Sequence, residues 1–211
     1  MNDTIWDAFV IKNPWAVKIK RELIQALDML ETGFREGHRL FLAGNGGSYA
    51  DCLHFSGELL KSFESYRSLE SVMPESWRRS WAAPQLAKIQ PGFKVWVLGS
   101  NPALQTALLN DIREPAIYFA QELYLLAQPG DMLGVFSTSG NSPNILTVTE
   151  LANLMGLATL AFTGRQENQL EKIARITIKA PTKGSAAIIQ EYHLPIYHLI
   201  SRLLENSLFP S

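Results

Sequence analysis

Ser137-Thr138-Ser139-Gly140-Asn141-Ser142-Pro143-Asn144 follows a short apolar run, Met132 to Phe136, and precedes residues 145–155, whose apolar positions recur at helical spacing. The pattern predicts a strand ending at Phe136 and a helix starting near Pro143. Proline suits a first helical turn because it has no N–H to leave unpaired. Between strand and helix lie the hydroxyls of Ser137, Thr138, Ser139 and Ser142, a flexible glycine and the free N–H groups of a helix start. Together they form a cradle for an anion such as a phosphate group. The plainer alternative is a serine N-cap after a strand.

Working outward, five short apolar runs predict strands at 39–43, 94–98, 132–136, 158–162 and 176–179. Helical patterns separate them at 48–62, 103–109 with 116–127, 143–155 and 169–173. Strands alternating with helices mean βαβ units, hence an α/β protein: a three-layer αβα sandwich around a five-stranded parallel sheet. In such sheets ligands bind beyond the carboxyl ends of the strands, where the loops 44–48 and 137–142 fall. A helical segment within residues 1–36 precedes the first strand. Val17, Ile19, Leu23, Ile24, Leu27 and Leu30 give it an apolar stripe, and Gly33 is its expected stop. It is expected to pack on a partner subunit as well as on its own sheet. Residues 70–93 break the rhythm. Pro74, Pro84 and Pro91 punctuate a stretch with Trp77, Arg78, Arg79 and Trp81, too long for a simple connection. It reads as an insertion in a single-domain chain spanning 1–211, serving as a lid, a subunit contact or a surface excursion.

Nineteen basic and twenty acidic residues leave a net charge of −1, which recommends neither nucleic acid nor an anionic membrane as partner. The single cysteine, Cys52, excludes an intramolecular disulfide, fits a reducing cytosol and reads as a packing residue. No apolar run approaches the roughly 18 residues of a membrane span. The expected location is cytoplasmic.

Three further patterns carry chemistry. Gly44-Asn45-Gly46-Gly47-Ser48 lets the backbone turn sharply after a strand and approach a ligand closely. No Lys-Ser/Thr pair follows, and Tyr49 stands where a dinucleotide fingerprint needs its third glycine. His54 and Glu58 stand at i and i+4 on the helix that this turn opens, which puts both on one face. They could bind a metal, share proton transfer or form a structural pair. In the last helix, Gln190-Glu191-Tyr192-His193-Leu194-Pro195-Ile196-Tyr197-His198 sets polar groups among apolar ones. Gln190 and His198 are about 80° apart around a helix but about 12 Å apart along it. Pro195 bending the helix, Gln190 lying at its entry, or a site shared between subunits would each reconcile them. His193 points elsewhere and reads as structural. Asn110-Asp111 reads as a helix C-terminus near the same sheet edge.

In this order, GNGGS, HFSGE, ND, GDMLGVFSTSGNSPN, LAFTG and IIQEYH…H resemble the sugar isomerase (SIS) family, a flavodoxin-like fold. Within it they resemble the phosphoheptose isomerase branch, from about residue 40 to 204 apart from the insertion. The resemblance implies a ketose–aldose isomerisation of a phosphorylated sugar, chiefly sedoheptulose 7-phosphate to D-glycero-D-manno-heptose 7-phosphate, through an enediol(ate). It implies that Asn45, Gly46, Gly47 and Ser48 contact the sugar phosphate, that Ser137, Thr138, Ser139 and Ser142 hold its phosphate, and that Asn110 and Asp111 touch the sugar chain. His54, Glu58, Gln190 and His198 would bind one zinc ion per subunit. Glu58 and His198 would carry protons, and Glu58 and Gln190 would also meet substrate. A homotetramer with active sites at subunit interfaces is implied as well.

Two departures stand out. Ala187 and Ile188 occupy positions where the family usually has an acidic residue and an arginine, and Ser62 stands where an arginine usually follows the helical glutamate. Two other readings therefore remain open. One is an isomerase of a different sugar phosphate. The other is a non-catalytic SIS protein that binds a phosphosugar or the replication initiator, whose tail the ending Leu204-Glu205-Asn206-Ser207-Leu208-Phe209-Pro210 resembles. That branch lacks equivalents of Glu58 and His198, which this chain keeps.

Overall fold

The computed structural model describes residues 2–80 and 88–209. Five strands form one sheet: β1 (Leu40–Gly44), β2 (Val95–Val97), β3 (Met132–Phe136), β4 (Ala158–Thr163) and β5 (Ile176–Lys179). Every neighbouring pair is parallel, in the order β2-β1-β3-β4-β5. All five residues of β1 and of β3 are buried. That follows from helices covering both faces, and it is why these strands read as unbroken apolar runs rather than alternating ones.

One face is covered by α1 (Asp3–Lys12), α2 (Lys20–Arg35), α3 (Gly47–Leu60) and α9 (Ala186–Leu208). Leu42, Phe136 and Phe162 of the sheet pack there with Leu27, Phe55 and Ile200. The other face carries α6 (Ala120–Leu126), α7 (Pro143–Leu154) and α8 (Leu170–Ile173), where Phe41, Val135 and Ala161 meet Leu123, Val148 and Leu170. Two short helices, α4 (Glu75–Ser80) and α5 (Pro102–Ala107), complete the described elements.

Several expectations shift. The helical segment within residues 1–36 is divided into α1, a 3-10 stretch (Pro14–Ile19) and α2, and the stripe from Val17 to Leu30 spans the last two. Gly33 does not stop the helix, which continues to Arg35. It is a close-packing position instead, since a Cβ there would lie 2.4 Å from Met132 Sδ. In the insertion, Leu69–Ser71 forms a 3-10 turn, Met73 is buried and Trp77 is exposed. Pro84 and Trp81 lie outside the described residues. Cys52 is fully buried in the core between sheet and helices, and burial pushes its thiol up. Among the described residues no helix is long and apolar enough to cross a membrane.

The sheet order reverses between β1 and β3. That is the crevice where open α/β sheets bind ligands, and the loops leaving those two strands face it.

Candidate active site

The loop after β1 turns at Gly46, whose φ of +55° is a conformation that side chains with a Cβ rarely adopt. The N–H groups of Ser48 and Tyr49 donate to the carbonyls of Asn45 and Gly46, and α3 begins. Asn45, Gly46 and Gly47 are exposed, while Ser48 is buried. Gln190, in the first turns of α9, closes on this turn. Its Nε2 lies 3.5 Å from Ser48 Oγ, and a Cβ on Gly47 would come within 2.4 Å of it.

The loop after β3 is held from within. Gly140 N donates to Ser137 Oγ (3.2 Å) and Asn141 N to Ser139 Oγ (3.2 Å). Gly140 has φ +65° and lies so close to Asn168 that a Cβ would meet its side chain at 2.3 Å. Thr138 O accepts from Gly164 N and Gln166 Nε2, which ties the loop to the end of β4. Ser142 stands at the N-cap position of α7 but makes no side-chain cap bond. Its Oγ lies 3.4 Å from Ser137 Oγ instead. The Ser137 and Ser142 hydroxyls thus meet at the start of a twelve-residue helix, which the N-cap serine leaves uncapped. The two loops are joined by a reciprocal amide pair, Asn45 Nδ2 to Asn144 Oδ1 and Asn144 Nδ2 to Asn45 Oδ1, both 2.9 Å. Sequence reasoning quoted Asn144 without giving it a role.

Further along α3, His54 Nε2 lies 3.1 Å from Glu58 Oε1, as their i, i+4 spacing dictates. His198 of α9 brings its Nε2 to 3.4 Å from His54 Nε2, with the rings nearly perpendicular at 5.0 Å. One donor atom from each of His54, Glu58 and His198 falls within 4.8 Å of the others. Two imidazole nitrogens and a carboxylate oxygen at this spacing could hold a metal ion with a further position open. Burial, and next the neighbouring His54, hold the His198 imidazole below its ordinary value, which favours its neutral, ligating form.

Two neighbours that sequence reasoning missed stand behind this cluster. The Tyr197 hydroxyl lies 3.0 Å from His54 Nδ1. Asp51 has its Oδ2 buried without a hydrogen-bond partner, and burial pushes its carboxyl up to about 6 against the opposing pull of His54 and Tyr197. Asp51 is one helical turn before His54, so spacing on α3 alone could have raised it. Tyr197 had no such signal, because its partners are on another helix.

A third group frames the site from outside. Glu205 is buried and accepts from the backbone N–H groups of Phe63, Glu64 and Ser65 at 2.8–3.0 Å, with Arg67 Nη2 at 3.3 Å. This fixes the loop after α3, whose Phe63 ring stands 5.7 Å from His198. The Arg67 guanidinium stacks over Phe209 at 4.2 Å, and the Arg67 backbone N–H donates to Ser62 Oγ at 2.9 Å. The arginine near Ser62 is therefore committed to structure. Ile188 is an exposed apolar residue on the first turn of α9.

Asn110 and Asp111 lie exposed on a π-helical turn (Leu108–Ile112) and hydrogen-bond one another at 2.8 Å. The turn ends at Arg113, in the left-handed region with φ 58°. His193 is fully buried between Phe136 and Phe162, with Nε2 3.4 Å from Thr163 O.

A parallel sheet in the order 2-1-3-4-5, with a Gly-Asn-Gly-Gly turn and a serine-rich loop at its switch point, is the α/β architecture of SIS proteins. No family model matches the chain. Curated relatives do. It is 34% identical over 182 residues to the phosphoheptose isomerase of Mycobacterium tuberculosis, covering 86% of this chain and 80% of the relative. It is 31% identical over 192 residues to that of Crocosphaera subtropica, covering 91% and 85%. The fold matches the phosphoheptose isomerase structures from Neisseria gonorrhoeae (TM-score 0.73, 21% identity, 95% of each chain) and Francisella tularensis (0.72, 22%, covering 97% of this chain and 96% of that one). The chain belongs to the phosphoheptose isomerase family.

Proposed function

We propose that the protein is an aldose–ketose isomerase that converts sedoheptulose 7-phosphate to D-glycero-D-manno-heptose 7-phosphate through an enediol(ate). The observation that carries this reading is the convergence of His54, Glu58 and His198 within 4.8 Å on the two helices that border the Gly47 turn. A non-catalytic phosphosugar-binding protein has no evident need of it.

In this reading the hydroxyls of Ser137, Thr138, Ser139 and Ser142 hold the phosphate over the α7 N-terminus, and residues 45–48 pack along the sugar. Asn110 and Asp111 are the proposed contacts to the sugar chain. Moving hydrogen between C1 and C2 requires a base at carbon and a proton carrier at the oxygens. Glu58 is the proposed base and His198 the proposed carrier. A bound Zn2+, one per subunit, would be held by His54, Glu58, Gln190 and His198 and would supply positive charge opposite the developing enolate oxygen. Gln190, whose amide rests at the Gly47 turn, is the proposed exchangeable member of that set. The proposed assembly is a homotetramer in the cytoplasm. Exposed Leu53 and Leu60 on α3 and Ile188 and Leu194 on α9 support a subunit contact beside the site.

The test is solvent-deuterium exchange followed by NMR, with sedoheptulose 7-phosphate in heavy water, zinc present, and Glu58→Gln in parallel. Deuterium at the carbon next to the carbonyl together with a new aldose signal is the expected result. The variant should lose both while still binding substrate. Absence of exchange across a panel of ketose phosphates would overturn the enzyme and leave a binding protein. Exchange with another ketose phosphate alone would overturn the heptose assignment.

A further inference from the structure

His54 has two ring nitrogens with different surroundings. Nε2 faces Glu58 Oε1 at 3.1 Å and His198 Nε2 at 3.4 Å, and Nδ1 faces the Tyr197 hydroxyl at 3.0 Å. A neutral imidazole carries one N–H, and the hydrogen bond made by one nitrogen decides what the other can do. In the metal-free site the proton belongs on Nε2, where it donates to the Glu58 carboxylate. Nδ1 then accepts from the Tyr197 O–H. A protonated nitrogen has no lone pair to give a metal. Coordination through Nε2 therefore needs the other tautomer, with Nδ1–H directed at Tyr197.

A phenol oxygen both donates and accepts, so it can receive Nδ1–H provided its own hydrogen has another acceptor. Asp51 offers such an acceptor. It stands one helical turn before His54 on α3, and its Oδ2 is buried with no hydrogen-bond partner of its own, free to accept. The tyrosine is held in place, 1% exposed, with its ring stacked on Phe55 at 5.4 Å and edge-on to Phe136 at 6.1 Å. Because Tyr197 and His198 are successive residues of α9, one helix supplies both a candidate ligand and the hydrogen-bond partner of the opposing ligand on α3.

We propose that Tyr197 and Asp51 are positioning residues for the metal centre, forming a reversible hydrogen-bond chain behind His54. The chain runs Tyr197 to His54 Nδ1 in the empty site, and reverses to His54 Nδ1–H to Tyr197 to Asp51 when Nε2 takes a metal. No net proton is gained or lost by the ring, since the proton of Nε2 is exchanged for one on Nδ1. The proposal rests on the metal reading above and adds the residue that selects the tautomer.

Two measurements test it. Zinc affinity of metal-stripped wild type and Tyr197→Phe would be determined by competition with a chromogenic chelator, with circular dichroism confirming the fold. Phenylalanine keeps the stacked ring and removes only the hydroxyl, so affinity should fall about 10–100-fold, as for other losses of a ligand's outer partner. Nitrogen-15 NMR of histidine-labelled wild type would follow the tautomer and needs no variant. His54 should carry its proton on Nε2 without zinc and on Nδ1 with it. Equal zinc affinity in wild type and Tyr197→Phe, or a His54 tautomer unchanged by zinc, overturns the chain while leaving the metal centre standing. Wild type that binds no zinc overturns the metal reading and the chain with it.

Discussion

Replacing His193 by glutamine should remove a defined part of the protein's acid sensitivity. The imidazole is fully buried, its Nε2 faces the Thr163 carbonyl at 3.4 Å, and its Nδ1 has no partner. A carbonyl only accepts, so the single proton sits on Nε2, and charging the ring would place a second, unpaired N–H in the core. Burial accordingly holds the group down to about 4 from its ordinary 6.5, with the Thr163 bond opposing. The folded-state value is depressed, so the native state binds fewer protons than the unfolded chain between the two values. Stability is complete above 6.5 and falls as pH drops towards 4. The whole interval corresponds to about 3 kcal/mol. Near pH 5 almost every unfolded chain carries this proton but only about one native molecule in ten does, a loss of about 2 kcal/mol relative to pH 7.5. Urea unfolding of chelator-treated protein at a fixed concentration, at about pH 7.5 and about pH 5, measures it. Glutamine can still donate to Thr163 O but does not titrate in this range. Whatever its own cost, the pH-dependent loss should therefore be about 2 kcal/mol smaller in His193→Gln than in wild type. Equal losses in the two proteins would refute the reasoning.

Other outcomes follow from the same contacts. Ser139→Ala should mainly raise KM for the sugar phosphate, because Ser139 is an exposed member of the proposed phosphate cradle; a change confined to kcat, read by steady-state kinetics, would remove it from that role. Glu205→Gln should destabilise by about 3–5 kcal/mol, since it leaves buried Arg67 without its countercharge and weakens three backbone bonds. Chemical denaturation would show this, and a loss under 1 kcal/mol, the range of exposed pairs, would contradict the buried clamp. Gly47→Ala should displace the Gln190 amide, which a Cβ would approach to 2.4 Å, and so raise KM with little change in melting temperature. Unchanged kinetics would mean that Gln190 has no part in the site.

Much of this protein is legible from neighbouring residues alone. β3 and β5 fall where their apolar runs predict, and the other three strands within a residue of it. Strands buried on both faces leave short unbroken apolar runs, which their length and flanking turn residues, rather than periodicity, separate from buried helix segments. Helix starts at Gly47 and Pro143 are equally local, and so is the shared face of His54 and Glu58. Gly33 misled because the same residue type serves as a helix stop and as a place of close approach, and only the position of Met132 distinguishes them.

By itself the sequence determined the five strands, the helices that alternate with them and hence their parallel arrangement, the two loops at the sheet edge and the shared face of His54 and Glu58, all properties of spacing within a few residues. Tertiary structure decided the strand order, the meeting of His198 with His54, the Asn45–Asn144 bridge, the resting place of Gln190, and the parts played by Asp51, Tyr197 and Glu205. His54 and His198 are separated by 144 residues and Asn45 and Asn144 by 99. No local periodicity encodes such distances. They are set by how α3 and α9 pack over one face of the sheet, where burial of Phe55, Ile196 and Ile200 brings the polar sides of the two helices into register.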